Sequence, residues 1–434
     1  MQKNKTALIW LTNNLRTIDN VLLANACKEY TNVIAVYFFN PNHYKKDVFG
    51  FTKTERFRAQ FLIETVQNLK DNLEKLNISL LTFLDHPENL ISEIVSKYNI
   101  DALFLQKEFT SEETICIQKT KTELPKEISI FEEYDQFLYH PDDIPFSTSE
   151  IPITFTSFRK KVEKYSTIKQ RFYPIKKEET NLVLNKTKIP TLKKLGLTDI
   201  TKNSNSAFPF SGGENEALKR LEYYFFETKK IAFYKQTRNG LTGTDYSSKF
   251  STWLANGAIS AKNIYWKLKE YEKEIEKNQS TYWMYFELLW RDYFKYIASK
   301  HGDLLFKQRG ILQKKYNWNN NQSIIQNWIN GNTKEPFVNA NMIELKETGW
   351  MSNRGRQNVA SYFAKELKQD WRIGAAYFES MLLDYDPHSN YGNWQYVAGV
   401  GNDPRDRKFN IQLQAQRYDK NHTFRHLWLQ PTLF

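Results

Sequence analysis

The sequence predicts two unlike domains, an α/β domain with a five-stranded parallel sheet followed by an all-α domain. Three observations carry this. Strand-like and helix-like apolar runs alternate through residues 1–134, six of the thirteen prolines fall between Pro141 and Pro209, and helical periodicity holds from Gly212 onward. A chain of 434 residues also exceeds what one core ordinarily organises.

In residues 1–134, the segments 7–11, 33–39, 78–84, 102–106 and 128–134 read as strands. Between them, Phe61, Leu62, Val66, Leu69 and Leu73 repeat at helical spacing, as do Ile91, Ile94, Val95 and Tyr98. Such alternation implies a Rossmann-like parallel sheet with helices on both faces. Residues 135–211 read as a long surface connector with a few short helices, because strand patterning stops where the prolines gather. In residues 212–434, helices are expected over 214–234, 260–277, 282–299, 322–330, 338–348, 353–370 and 374–383.

Hydrophobic residues make up 41% and charged residues 25%, a balance typical of globular proteins. No apolar run is long enough to span a bilayer, and the first residues lack the apolar core of a secretory signal. Cys27 and Cys116 alone suggest no disulfide framework. An intracellular, cytoplasmic, membrane-free protein is expected. The net charge of +12 favours polyanions, although lysine-rich faces are often merely solvated. Of eleven tryptophans only Trp10 precedes residue 250, so the second half is equipped for a large planar ligand or for packing.

No P-loop, HExxH or Cys/His cluster at metal spacing is present, so no metal is expected. On a helix through 282–297, Glu287, Trp290 and Arg291 share one face. Gly349-Trp350-Met351-Ser352-Asn353-Arg354-Gly355-Arg356-Gln357-Asn358 reads as an amide-rich and Arg-rich helix start, suited to phosphates or base edges. Residues 384–396 are polar and turn-rich yet hold Trp394 and three tyrosines, which reads as a functional loop; His388 in it is structural or solvent-facing. Alone, the first stretch is better explained as an aromatic core helix with one internal ion pair, and the second equally well as a capped, solvated helix end.

Together they resemble the photolyase–cryptochrome family, and its DASH branch in particular. The resemblance is carried by Thr242-Gly243-Thr244-Asp245-Tyr246-Ser247-Ser248-Lys249-Phe250-Ser251, by 286–294, 349–361 and 383–404, and by Gly50-Phe51, Lys53-Thr54 and Phe57-Arg58-Ala59-Gln60-Phe61. It implies one FAD per chain, folded in a U within the helical domain. Tyr234, Ser247, Ser248, Lys249, Phe250 and Ser251 would hold its phosphates. Glu287, Arg291, Asn353, Arg356, Asp384, Asp386 and Asn390 would surround the rest, with Arg356 and Asp384 paired beside the flavin ring. Asn390 would face flavin N5, where a neutral amide tolerates added negative charge better than a carboxylate. Trp394, Trp371 and Trp318 match a three-tryptophan electron wire; without the resemblance they read as core.

The implied activity is that of a deoxyribodipyrimidine photolyase: blue-light-driven electron transfer from reduced FAD to a cyclobutane pyrimidine dimer in DNA. Glu287, Trp290 and Asn353 would meet the dimer, and Arg354 and Arg407 the flanking phosphates. Gln357 and Tyr396 stand where duplex-repairing photolyases carry Met and Trp. That more polar pocket implies a preference for single-stranded DNA and weak action on duplexes, where flipping costs a few kcal/mol. Glu108 matches the contact of a folate antenna (methenyltetrahydrofolate), while Trp10-Leu11-Thr12-Asn13-Asn14-Leu15-Arg16 departs from the family's Trp-Phe-Arg-Asn-Asp-Leu-Arg. Gln430-Pro431-Thr432-Leu433-Phe434 is similar to peptides that dock on bacterial sliding clamps. A monomer is expected. The competing expectations are a light sensor that binds DNA or protein without repair, and an electron-transfer flavoprotein without DNA.

Overall fold

The computed structural model describes residues 5–174, 181–403 and 405–429. Strands β1 (Thr6–Leu11), β2 (Asn32–Phe38), β3 (Ser79–Phe83), β4 (Ala102–Gln106) and β5 (Ser129–Glu133) form one parallel sheet in the order β3-β2-β1-β4-β5. β1 and β4 are buried throughout, as strands covered on both faces must be, which is why they read as unbroken apolar runs. Helices α1 (Val21–Glu29), α2 (Arg56–Lys75), α3 (Pro87–Lys97) and α4 (Ser111–Thr122) supply the crossovers. The strand order reverses between β1 and β4, the usual ligand position of a doubly wound sheet.

The connector has a structural task of its own. Its residues 181–187 run along β3, one of the two edge strands of the sheet. Asn181 Oδ1 accepts from Val33 N (2.8 Å), Asn185 Nδ2 donates to the Leu80 carbonyl (2.7 Å), and Thr187 Oγ1 accepts from Thr82 N (3.0 Å). An exposed edge is thereby covered. Helix α5 (Phe155–Tyr165) sits in the same connector and buries Phe155, Phe158 and Val162 in the helical core.

The second domain comprises α6 (Glu214–Glu222), α7 (Tyr234–Thr237), α8 (Ser251–Ala255), α9 (Ala261–Glu274), α10 (Gln279–His301), α11 (Gln322–Ile329), α12 (Pro336–Thr348), α13 (Asn353–Ser361), α14 (Trp371–Met381), α15 (Pro387–Ala398), α16 (Ile411–Tyr418) and α17 (Thr423–Leu429). Three expectations need correction. The helix expected over 214–234 ends as a π-turn at Tyr223–Glu227 before α7 begins, and the one over 353–370 ends likewise at Tyr362–Glu366. The stretch 384–396, read as a loop, is largely α15. Asp386 caps it by accepting from Ser389 N, and Pro387 occupies its first turn, where no N–H is needed.

The loop from Leu15 to Asn20 locks the domains together. Glu214 accepts from Thr17 N and Thr17 Oγ1 (3.0 and 2.7 Å), Ile18 N (2.7 Å) and Asn72 Nδ2 (3.1 Å). Buried Arg16 pairs with Asp135 at 2.8 Å and donates to the Gly257 carbonyl at 3.2 Å. Asp19 pairs with Lys262 at 3.0 Å. Gly257, at φ +72°, lies so close to the loop that a Cβ would come within 1.9 Å of the Asn13 carbonyl oxygen.

Replacing Glu214 with Ala strands several of these donors, so we expect a loss of about 3 kcal/mol in urea unfolding, with Glu214→Gln intermediate. A loss below about 1 kcal/mol would show that solvent reaches the seam.

Candidate functional site

The loop before α8 is shaped from beneath by one residue. Arg220, buried on α6, donates to the carbonyls of Thr244 (3.2 Å), Ser247 (3.1 Å) and Ser248 (3.1 Å) and pairs with Asp245 at 2.8 Å. Three carbonyls thus turn inward to one guanidinium. Lys249 takes φ +67° within this loop, and its buried ammonium lies 3.2 Å from the Tyr246 ring centroid. Ser248 and Phe250 are buried and Ser251 is exposed. Arg220 escaped the sequence reading because a lone Arg on an amphipathic helix carries no signal of what it holds.

Across from the loop, Trp350 Nε1 donates to the Tyr246 hydroxyl (3.1 Å). Ser352 caps α13 by accepting from Gly355 N (3.0 Å), which sets Asn353 at the helix start. Arg356 and Asp384 form an ion pair at 2.9 Å, and Arg356 Nε donates to the Met351 carbonyl. Tyr234 opens α7 and is buried, which pushes its phenol up to about 12. Asn390 is buried on α15, where its Nδ2 donates to the Ala375 carbonyl (3.0 Å).

Several buried polar atoms in this region have no hydrogen-bond partner among the described residues: Lys249 Nζ, both Glu344 carboxyl oxygens, Asn341 Oδ1 and Trp394 Nε1. Burial pushes the Glu344 carboxyl up to about 8 and pulls the Lys249 ammonium well below its usual range. Unsatisfied polar groups in a core are costly. A guest rich in donors and acceptors, with a planar ring system and phosphates, matches this lining, and FAD is such a guest.

Two residues expected at the flavin are largely engaged elsewhere. The Arg291 terminal nitrogens donate to the carbonyls of Gln136 (2.7 Å) and Leu254 (3.2 Å), bracing connector and α8. Asp386 receives Lys295 Nζ (3.2 Å), His388 Nδ1 (2.8 Å), Ser389 N (3.1 Å) and Ser389 Oγ (2.5 Å). Burial works against its charge, yet Lys295 and His388 hold its carboxyl well below the usual carboxylate range. Asp386 therefore anchors the helix that carries Asn390 and Trp394. His388 is buried, not solvent-facing, and lies 4.7 Å from the Phe109 ring.

A second group of residues faces solvent. Trp290 is stacked on one side by Phe155 (3.8 Å, 14°) and met edge-on by Tyr396 (6.3 Å, 88°). Glu287, on the same face of α10, pairs with Arg238, which the sequence reading missed. Arg354 donates to Gln357 Oε1 (2.9 Å) and Asn239 Oδ1 (3.0 Å) and lies over Tyr418. Among the described residues no carboxylate pairs with it. Arg407 is exposed and 3.7 Å from Asp403.

The three tryptophans follow the chain inward. Trp318 is half-buried, and its neighbour Asn319 bonds to the backbone at Lys368 and Asp370, just before Trp371. Trp371 is buried, its Nε1 donating to the Gln308 carbonyl (3.0 Å). One turn on, a Cβ at Gly374 would come within 2.2 Å of the Trp394 ring, so only glycine permits that approach.

Between the domains lies a cavity of about 210 Å³, lined by Trp10, Tyr37, His43, Arg58, Glu108 and Tyr385 among others. Burial first, then Glu113, push the Glu108 carboxyl up to about 8. Thr12 and Asn13, from the departing segment, line it too. Residues 430–434 lie outside the described residues. Among the described residues, no helix is long and apolar enough to cross a membrane.

A doubly wound sheet locked to a helical flavin cradle defines the photolyase class of flavoproteins. The profile of the DNA photolyase family matches residues 7–177, and that of the FAD binding domain of DNA photolyase matches 283–433. A cryptochrome DASH of Gloeobacter violaceus is 44% identical over 98% of this chain and 85% of its own length. The crystal structure of a Synechocystis cryptochrome superposes with a TM-score of 0.94 at 41% identity, covering 99% of this chain and 89% of that one. An archaeal photolyase from Sulfolobus tokodaii, described with two FAD molecules, gives 0.81 at 26% identity over 98% and 90%. The chain belongs to the DASH cryptochromes of the photolyase–cryptochrome family, and it binds FAD.

Two outcomes follow for the cradle. Arg220→Ala should release three carbonyls and cut FAD retention about tenfold or more while the fold persists; the ratio of 450 to 280 nm absorbance measures it. His388 concerns pH. Burial and then Lys295 push its imidazole from 6.5 down to about 4. Between those values the unfolded chain binds a proton that the fold excludes. Stability is thus fully present above about 6.5 and falls toward pH 4, by on the order of 3 kcal/mol. His388→Gln should flatten that part of the urea-midpoint profile, and an unchanged slope would contradict the assignment.

Proposed function

We propose that the protein is a light-driven lyase that repairs cyclobutane pyrimidine dimers, chiefly in single-stranded DNA. The observation that carries this reading is the partly exposed aromatic surface that α10 and α15 form together. Trp290 and Tyr396 meet at right angles beside Glu287, with Arg354 unpaired by any described carboxylate. Such a pocket offers an aromatic wall, a hydrogen-bond acceptor for bases and a cation for phosphate.

Bound in its reduced form, FAD supplies the electron that opens the cyclobutane ring. The chain's own residues do the rest. Asn390 keeps the flavin's surroundings uncharged at one edge, and the Arg356–Asp384 pair fixes a compensating dipole nearby. Glu287 receives base N–H groups once Arg238 gives way. Trp290 offers the edge and face that Phe155 leaves open. Trp318, Trp371 and Trp394 provide the inward path for recharging electrons. Gln357 and Tyr396 make the pocket a poorer stacking partner than two indoles would, so it offers little toward pulling a base out of a duplex.

The interdomain cavity would hold an antenna chromophore of folate type, with Glu108 among the residues to contact it. A cytoplasmic site of action and a clamp contact through residues 430–434 remain part of this reading.

The test is loss of dimers from an irradiated oligothymidine under blue light, with reduced, FAD-loaded protein. Single strands should be repaired well and matched duplexes poorly. Glu287→Ala should lower the yield about tenfold, and Asn390→Asp should lower it with FAD still bound. No dimer loss from any substrate would leave the sensor reading in its place.

A further inference from the structure

The solvent side of α10 carries an apolar stripe that neither the flavin cradle nor the lesion pocket uses. Tyr282, Trp283 and Phe286 are all half-buried there; Trp283 lies four residues before Glu287 and Phe286 four before Trp290, on the same face. The Trp283 and Phe286 rings stack at 4.8 Å and 30°. Phe286 meets Phe155 at 5.1 Å, and Phe155 stacks on Trp290, so the rings form one ladder ending at the pocket. From residue 283 to 290 a helix rises about 10 Å, the length of about three stacked nucleotides.

Cations flank the ladder on both sides. Arg159 of α5 lies 5.5 Å from the Phe286 ring and donates to the Tyr282 hydroxyl (2.6 Å). Lys235 of α7 lies 4.8 Å from the Trp283 ring. Among the described residues neither pairs with a carboxylate. Nearby Phe233 is 62% exposed. Aromatic rings flanked by cations that no described carboxylate neutralises match a strand whose bases are unpaired and whose backbone is anionic. A duplex keeps its base faces stacked on one another and has none to offer.

We infer that Trp283 and Phe286, flanked by Arg159 and Lys235, form a stacking track for the unpaired nucleotides on one side of the lesion. This deepens the proposed repair of single-stranded DNA: the preference is set by a surface beside the pocket as well as by the pocket itself.

The experiment uses FAD-loaded full-length protein and fluorescence anisotropy with an undamaged oligothymidine of about fifteen nucleotides. Trp283→Ala should weaken binding about tenfold. Lys235→Ala, a surface change that leaves the core intact, should weaken it less. It should also reduce the slope of log affinity against log salt by about 0.7. Duplex binding should change little in either variant. Repair of a dithymidine dimer at saturation should stay at the wild-type rate, since that substrate has no flanking bases. Wild-type affinity for the oligothymidine in both variants overturns the track, as do equal losses on duplex and single strand. If the unaltered protein repairs no dimer, the repair reading falls, while these affinities still decide the track.

Discussion

The relation between the domains depends on burying carboxylates at the seam beneath β1. Glu214, Asp19 and Asp135 are all removed from water there, and each is matched by backbone N–H groups, hydroxyls or a cation supplied from across the seam. A buried charge left unmatched costs several kcal/mol, so the loop from Leu15 to Asn20 has one acceptable position. Because the loop continues directly from β1, it fixes the cavity at the sheet's end against the helical domain. Arg58 reaches over the same boundary, donating to the Glu379 carbonyl (2.6 Å) and lying over Tyr385, which sits between Asp384 and Asp386. A chromophore in the cavity and a flavin in the cradle would therefore share one rigid frame.

The ease of reading each element from sequence follows what its side chains face. β1 and β4 face hydrocarbon on both sides and announce themselves as apolar runs. The connector was legible through its prolines, but its hold on β2 and β3 runs through Asn181, Asn185 and Thr187, ordinary polar residues in a loop. α15 reads as a loop because its buried face holds His388, Asn390 and Gln395, which meet other buried polar groups instead of an apolar core. A helix that lines a cofactor site loses the periodicity by which helices are recognised. Arg220 was invisible for a related reason, since its partners are carbonyls of a loop twenty-odd residues away. The long motifs pointed to a set of candidate residues, and among these Asp386 and Arg291 are engaged by other parts of the chain.

The 23-residue helix α10 shows how these constraints meet. Its buried Asp292 accepts from Leu138 N and Tyr139 N (both 2.8 Å), pinning the connector. Less than one turn on, Lys295 holds Asp386 and with it the start of α15. On the opposite face Glu287 and Trp290 present themselves to solvent. One rigid rod thus sets the connector, the helix bearing Asn390 and Trp394, and the wall on which a base would rest. In the proposed repair, electron transfer is sensitive to separation, so tolerance for drift between cradle and lesion would be small. A loop could carry the same side chains but would not hold them at one spacing. The polar groups on the inner face, at odds with an ordinary core helix, are what convert the rod's stiffness into a fixed distance between the two sites.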